Sequence, residues 1–338
     1  MSIIGHGRVL EILEKEAPAP SGAYMLVGAS GVGKATVGRW FSSLVLCPTS
    51  GKHDGECRSC RLVEAGHHPD LVLVEPEGRQ SIGVEVARST VQQASLRPVE
   101  SSRRVFLIEE AGNMTDQAAN ALLKTLEEPT RSTVFVLAVE SESFLPATVA
   151  SRCHTIHLGR VPEIEIVEGL VARGIERAKA EAVAKMAGGR PGLAINLADS
   201  PEAADFRLKW LGVPGCLTGN PGDAFLLADE MYESPDPLIP DGGSDDEDAE
   251  KSDRDKRRMR NTLLAAGLET LASWYGDSAA VQIGGPVRNT DIPVLVLTRL
   301  SPESAVKRAE MVLAAVQDLQ RNLRPKLLLA NLFVSLAE

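Results

Sequence analysis

The run Gly28-Ala29-Ser30-Gly31-Val32-Gly33-Lys34 restricts the possible folds of this chain more than any other segment. It lies between a short apolar stretch, Tyr24–Val27, and a helical pattern that begins at Lys34. Gly28, Gly31 and Gly33 let backbone N–H groups close around phosphate oxygens. The helix N-terminus favours an anion, and Lys34 adds a point charge. A strand, glycine loop and helix in this order belong in a parallel α/β sheet with helices on its faces. Apolar stretches at Leu71–Glu75, Val105–Ile108 and Thr133–Val139 supply companion strands, alternating with helical patterns. Between the last two, Thr115 is placed to cap a helix, Leu122, Leu123 and Leu126 form its apolar face, and Pro129 stops it.

The loop nevertheless departs from what phosphate-transfer chemistry requires. A Ser or Thr should follow the lysine, because its hydroxyl ligates Mg²⁺. Ala35 stands there instead. Thr36 comes next, but a helix turns about 100° per residue, so its hydroxyl faces another direction. The strand ending at Ile108 runs into Glu109 and Glu110, in a pattern where an Asp normally holds the metal and the next Glu polarises water. Glu109 has a longer arm than that Asp, and moving a catalytic group by about 1 Å can lower a rate roughly 100-fold. Metal support is therefore weakened at two places. Whether Gly28, Gly31, Gly33 and Lys34 still take nucleotide is left open by the residues.

Cys47, Cys57 and Cys60 lie close in sequence within an odd total of five cysteines, which favours metal ligation over disulfides. A Cys-x2-Cys knuckle with a third thiolate upstream suits tetrahedral Zn²⁺ in a structural site, completed by a fourth donor. Cys153 and Cys216 read as buried thiols. A formal net charge of −10 argues against a nucleic-acid coat protein with a basic excess, while leaving local patches open. No apolar run reaches the roughly 18–20 residues needed to cross a bilayer, and the N-terminus lacks a secretory pattern. The expectation is a soluble cytoplasmic protein.

Beyond residue 158 the pattern turns helical. Glu163 to Arg173 and Arg177 to Ala187 read as helices, and Gly188-Gly189-Arg190-Pro191-Gly192 separates them from a third. The acidic run at 241–250 is too polar to bury and reads as a mobile loop. Lys256, Arg257, Arg258 and Arg260 read as the exposed start of a helix.

Three segments together, Leu107-Ile108-Glu109-Glu110-Ala111, Ala119-Asn120-Ala121-Leu122-Leu123-Lys124-Thr125-Leu126-Glu127-Glu128-Pro129 and Ser151-Arg152-Cys153, resemble bacterial clamp-loader subunits of the AAA+ superfamily. Similarity extends to Ala65-Gly66-His67-His68-Pro69-Asp70, Ser81-Ile82-Gly83-Val84 and Gly189-Arg190-Pro191-Gly192. Asn322 to Leu329 is similar to the last helix of the family's collar. The resemblance implies an AAA+ domain over 1–158 with a zinc-type insertion at 47–60. A helical lid at 159–203 and an all-helical collar at 204–338 follow, with a disordered acidic loop near 235–255.

It also implies a part in the DNA polymerase III assembly beside the tau/gamma and delta subunits, which load the beta sliding clamp on primed DNA. In that scheme one subunit lacks ATPase activity and lends the arginine of Ser-Arg-Cys, here Arg152, to ATP and Mg²⁺ on its neighbour. Asn120, Lys124, Glu127 and Glu128 would lie on a face that contributes to contacts. The family's insertion carries four cysteines; the missing one aligns with Asp54, so Asp54 or the adjacent His53 would complete a Zn²⁺ site. The polar sensor of hydrolysing relatives is replaced by Val139 and Glu140, and their lid arginine aligns with Pro191, just after Arg190. The competing reading is an active ATPase subunit of the same family, in which Thr36 and Glu109 take over metal binding.

Overall fold

The computed structural model describes residues 3–48, 55–75, 81–239, 249–320 and 324–337. Five strands, β1 (Ala23–Val27), β2 (Leu71–Leu73), β3 (Arg104–Ile108), β4 (Thr133–Val139) and β5 (His154–His157), form one sheet in the order β2-β3-β4-β1-β5. Every pairing is parallel, with Met25 opposite both Leu137 and Thr155. Helices cover both faces, so β1, β3 and β4 are buried along their whole length and read as continuous apolar runs.

Alternate residues serve the two faces. Met25, Phe106, Ile108, Phe135 and Leu137 pack with Ala87, Ala94, Ala118, Leu122 and Leu126 from the Val84–Ala94 and Asp116–Glu127 helices. On the opposite face Tyr24, Leu26, Leu107 and Val136 meet Leu13 and Val37, Phe41 and Val45 of the Lys34–Leu46 helix. Burying side chains of this size stabilises the fold by about 1.5–3 kcal/mol each. Thr115 caps the Asp116–Glu127 helix as expected, its side chain accepting from Ala118 N.

The edge strand β5 was not among the strands expected from the sequence. His-Thr-Ile-His is polar and buries only Ile156, so its strand character comes from pairing with β1. Close approach of the Lys34–Leu46 helix to β3 depends on Gly38. A Cβ there would lie 2.9 Å from Leu107 Cδ1.

The chain divides into two compact units, Met1–Gly169 with Gly189–Gly192, and Leu170–Gly188 with Leu193–Glu338. The first holds the sheet. In the second, the Ala249–Gln282 helix packs on the Pro302–Gln320 and Ala203–Cys216 helices, and Pro221–Glu233 packs on Pro325–Ala337. Leu263, Leu264, Leu268, Leu271 and Tyr275 are buried there. Asp277 accepts from Arg288 N and Asn289 N, both at 2.8 Å, which anchors the turn after the long helix.

Most of the acidic run, through residue 248, lies outside the described residues. The basic run falls within the Ala249–Gln282 helix, but not all of it is given to solvent. Arg260 Nε donates to Asp236 Oδ1 at 3.1 Å, and its guanidinium lies 5.3 Å from the Tyr232 ring centroid. Cys216 is exposed rather than buried, because it closes the Ala203–Cys216 helix at its solvent end. Cys153 is partly buried against the core, and burial pushes its thiol up to about 11.

Candidate functional site

The glycine loop leaves β1 and enters the Lys34–Leu46 helix. Gly31 and Gly33 take left-handed φ values of 80° and 103°, which a side chain would strain. The chain itself occupies several of the loop's carbonyls. Lys34 is buried, and its Nζ donates to Gly28 O at 2.7 Å and Ala29 O at 2.9 Å. Gly192 N donates to Gly31 O at 3.3 Å, and His6 Nε2 donates to Val32 O at 2.8 Å. His6 has a left-handed φ of 61°, an uncommon conformation for a side-chain-bearing residue. The loop is thus tied at four carbonyls to its own lysine, the N-terminal segment and the 189–192 segment.

Metal support in this pocket does not fit a divalent cation. Ala35 offers no oxygen from its side chain, and Thr36 is exposed while its neighbour Lys34 is buried. Glu109 Oε1 accepts from Arg39 Nε at 2.6 Å, so the carboxylate expected to hold a metal is paired with a guanidinium. Glu110 Oε2 accepts from Asn113 Nδ2 at 2.8 Å. Val139 is buried, and Arg190 is buried with Pro191 opening the Pro191–Asp199 helix. Arg39 and Asn113 were missed in the sequence. The available signal was Arg39 lying four residues after Ala35, hence on the same helical face.

Arg152 follows the Ala147–Ala150 helix and precedes β5. Its Nη1 donates to Thr148 O at 2.5 Å, and its Nη2 pairs with Glu127 Oε1. The two side chains are 32% and 45% exposed, so the pair is solvated and readily opened. Asn120, Lys124 and Glu128 are exposed on or just beyond the same Asp116–Glu127 helix.

The structure brings Cys47, Cys57 and Cys60 together. Cys57 Sγ lies 3.9 Å from Cys47 Sγ and 3.3 Å from Cys60 Sγ. All three sulfurs are within 4.8 Å of one another, close to the about 3.8 Å separation set by tetrahedral Zn–S bonds of about 2.3 Å. Cys57 caps the Arg58–Glu64 helix, its sulfur accepting from Cys60 N at 3.4 Å. Burial acts to raise the Cys57 thiol, but hydrogen bonds from Cys60 and Cys47 outweigh it and leave it lowered. Burial instead pushes the Cys60 thiol well up. The donor set can hold a metal ion. Asp54 and His53 lie outside the described residues.

Behind this cluster, Asp70 from the His-Pro-Asp segment is wholly buried and organises the turn before β3. It accepts from Val99 N at 2.6 Å, Glu100 N at 2.9 Å and Ser101 N at 2.8 Å, with Arg104 Nη2 at 3.4 Å. This places Asp70, the last residue of the similarity at 65–70, in a structural hub. Among the described residues, no helix is long and apolar enough to cross a membrane.

Residues 7–162 match the family described as DNA polymerase III, delta subunit. The DNA polymerase III subunit delta′ of Bacillus subtilis (strain 168) is 31% identical over 280 residues, covering 82% of this chain and 78% of the relative. The subunit delta′ of Escherichia coli (strain K12) is 34% identical over 180 residues, 52% of this chain and 54% of its own length. The subunit tau/gamma of Haemophilus influenzae is 35% identical over 150 residues, 44% of this chain and 22% of that protein. Identity at this level across most of both chains, as with the Bacillus subtilis protein, shows that this chain belongs to the DNA polymerase III subunit delta′ family.

Proposed function

We propose that this chain is the non-hydrolysing stator of a bacterial clamp loader, lending Arg152 to ATP bound by a neighbouring subunit. The partners in this reading are tau/gamma and delta subunits, and through the assembly the beta sliding clamp and primed DNA in the cytoplasm. Residues 1–158 form the AAA+ domain, 159–203 the lid and 204–338 the collar. Contact with DNA is chiefly to phosphates, since a loader must accept any sequence.

The observation that carries this reading is the state of the chain's own pocket. Glu109 is paired with Arg39, and Ala35 offers no side-chain hydroxyl. An intact arginine stands at the surface just before the edge strand β5, held by a solvated carboxylate. Such an arginine stabilises charge spread over a transferring phosphoryl group and is worth roughly 10³–10⁵ in rate. Opening its pair with Glu127 costs at most about 1 kcal/mol. Cys47, Cys57 and Cys60, with Asp54 or His53, would hold Zn²⁺ as a structural clasp on the insertion, with no part in ATP chemistry.

ATP turnover by the isolated chain, set beside turnover by the reconstituted assembly, tests the division of labour. The isolated chain should show none above background. Magnesium-dependent turnover that disappears with Lys34→Ala would overturn the reading.

A further inference from the structure

We propose that Arg39 is a tethered cation that excludes divalent metal from this chain's own glycine-loop pocket. The inference rests on the reading of that pocket as non-hydrolysing and names the residue that enforces it.

Two side chains would be expected to support a metal here, those at positions 35 and 109. Arg39 is related to both. It lies four residues after Ala35, and side chains at that spacing share one helix face, with Cβ atoms about 5–6 Å apart. It also reaches Glu109, 70 residues away in sequence, with its Nε 2.6 Å from Oε1. The approach is built into the fold. Gly38 lets the Lys34–Leu46 helix close on Leu107 of β3, and the next residue along the helix meets the end of that strand.

A guanidinium keeps its charge at any pH the protein encounters. A divalent cation approaching Glu109 therefore meets a like charge and a carboxylate already engaged. The small Ala35 leaves the Arg39 stem uncrowded on their common face. Loss of the hydroxyl at 35 is then one half of a paired change, and restoring it alone should not restore metal binding.

The experiment uses the full chain as wild type, Ala35→Thr, Ala35→Thr/Arg39→Ala and Ala35→Thr/Arg39→Lys. Mn²⁺ binding in the presence of ADP is followed by electron paramagnetic resonance, with thermal melting as a check on folding. The double variant with alanine should bind Mn²⁺ about fivefold or more tightly than Ala35→Thr, the scale of a partly exposed ion pair. The lysine variant, which keeps a cation, should resemble Ala35→Thr. Adding Glu109→Gln to the alanine double variant should remove the gain.

Equal Mn²⁺ affinity of Ala35→Thr and Ala35→Thr/Arg39→Ala, including no binding by either, overturns the proposal. A purely structural tether would lower the melting temperature without creating Mn²⁺ affinity. Mn²⁺–ADP binding and ATP turnover by the wild type would instead defeat the non-hydrolysing reading itself.

Discussion

Arg152→Ala separates a residue that serves a neighbour from one that holds its own fold together. Within the chain, Arg152 Nη2 pairs with Glu127 and Nη1 donates to Thr148 O, with both charged side chains substantially solvated. A pair of this exposure contributes about 0–1 kcal/mol. At roughly 2–4 °C per kcal/mol for domains of 150–250 residues, the melting temperature should move by no more than about 4 °C. In the proposed role, transfer of the guanidinium to a neighbour's ATP would carry a much larger effect. A rate factor of about 10³–10⁵ corresponds to about 4–7 kcal/mol of transition-state stabilisation. The opposing cost of leaving Glu127 is small beside it. Turnover at the site served should fall by that factor in the reconstituted assembly, measured under single-turnover conditions, while melting stays near wild type. Arg152→Lys should fold equally well and recover little activity, because an ammonium lacks the planar fork. Unchanged assembly turnover, or a melting loss above about 2 kcal/mol, would refute the reasoning.

Three further predictions concern the fold and the metal cluster. A Cβ at Gly267 would lie 2.1 Å from Cε2 of the wholly buried Trp210, so Gly267→Ala should destabilise by about 1–3 kcal/mol in urea, although alanine normally favours a helix. Asp70→Asn should cost about 3–5 kcal/mol, because it disturbs a buried carboxylate that accepts three backbone N–H bonds beside Arg104. Burial opposes ionisation of Asp70, but those amides and Arg104 outweigh it and hold its carboxyl below the usual range. Its contribution is therefore present above the unfolded carboxylate range and lost as pH falls below about 4, through the depressed folded value; acid titration of Asp70→Asn should lack that component. Purified wild type should retain about one zinc per chain after mild chelation, and Cys57→Ser should lose it by elemental analysis. Equal metal content in both would count against the cluster.

Much of the sheet was legible because its strands are buried on both faces and so carry uninterrupted apolar runs, as in Val105–Ile108 and Thr133–Val139. The Thr115 cap and the apolar face of its helix were legible for the same local reason, with Leu122 and Leu126 buried. The edge strand His154–His157 was not, since one buried side chain gives no period to read. Cys216 was misplaced because hydrophobic character alone does not tell which side of a helix end meets solvent.

The order of residues by itself determined the glycine loop, the missing hydroxyl at Ala35, the lengthened acid at Glu109, the cysteine spacing and the membership that Arg152 and its neighbours announce. Those are local properties, written in contiguous residues. Only the tertiary structure decided that Arg39 closes on Glu109, that Glu127 holds Arg152, and that His6 and Gly192 tie down the glycine loop. Each of these joins groups far apart in the chain, and for Arg39 and Glu109 the meeting depends on how closely a helix crosses a strand. That distance is set by packing, at Gly38 against Leu107 above all, and no one-dimensional period encodes it.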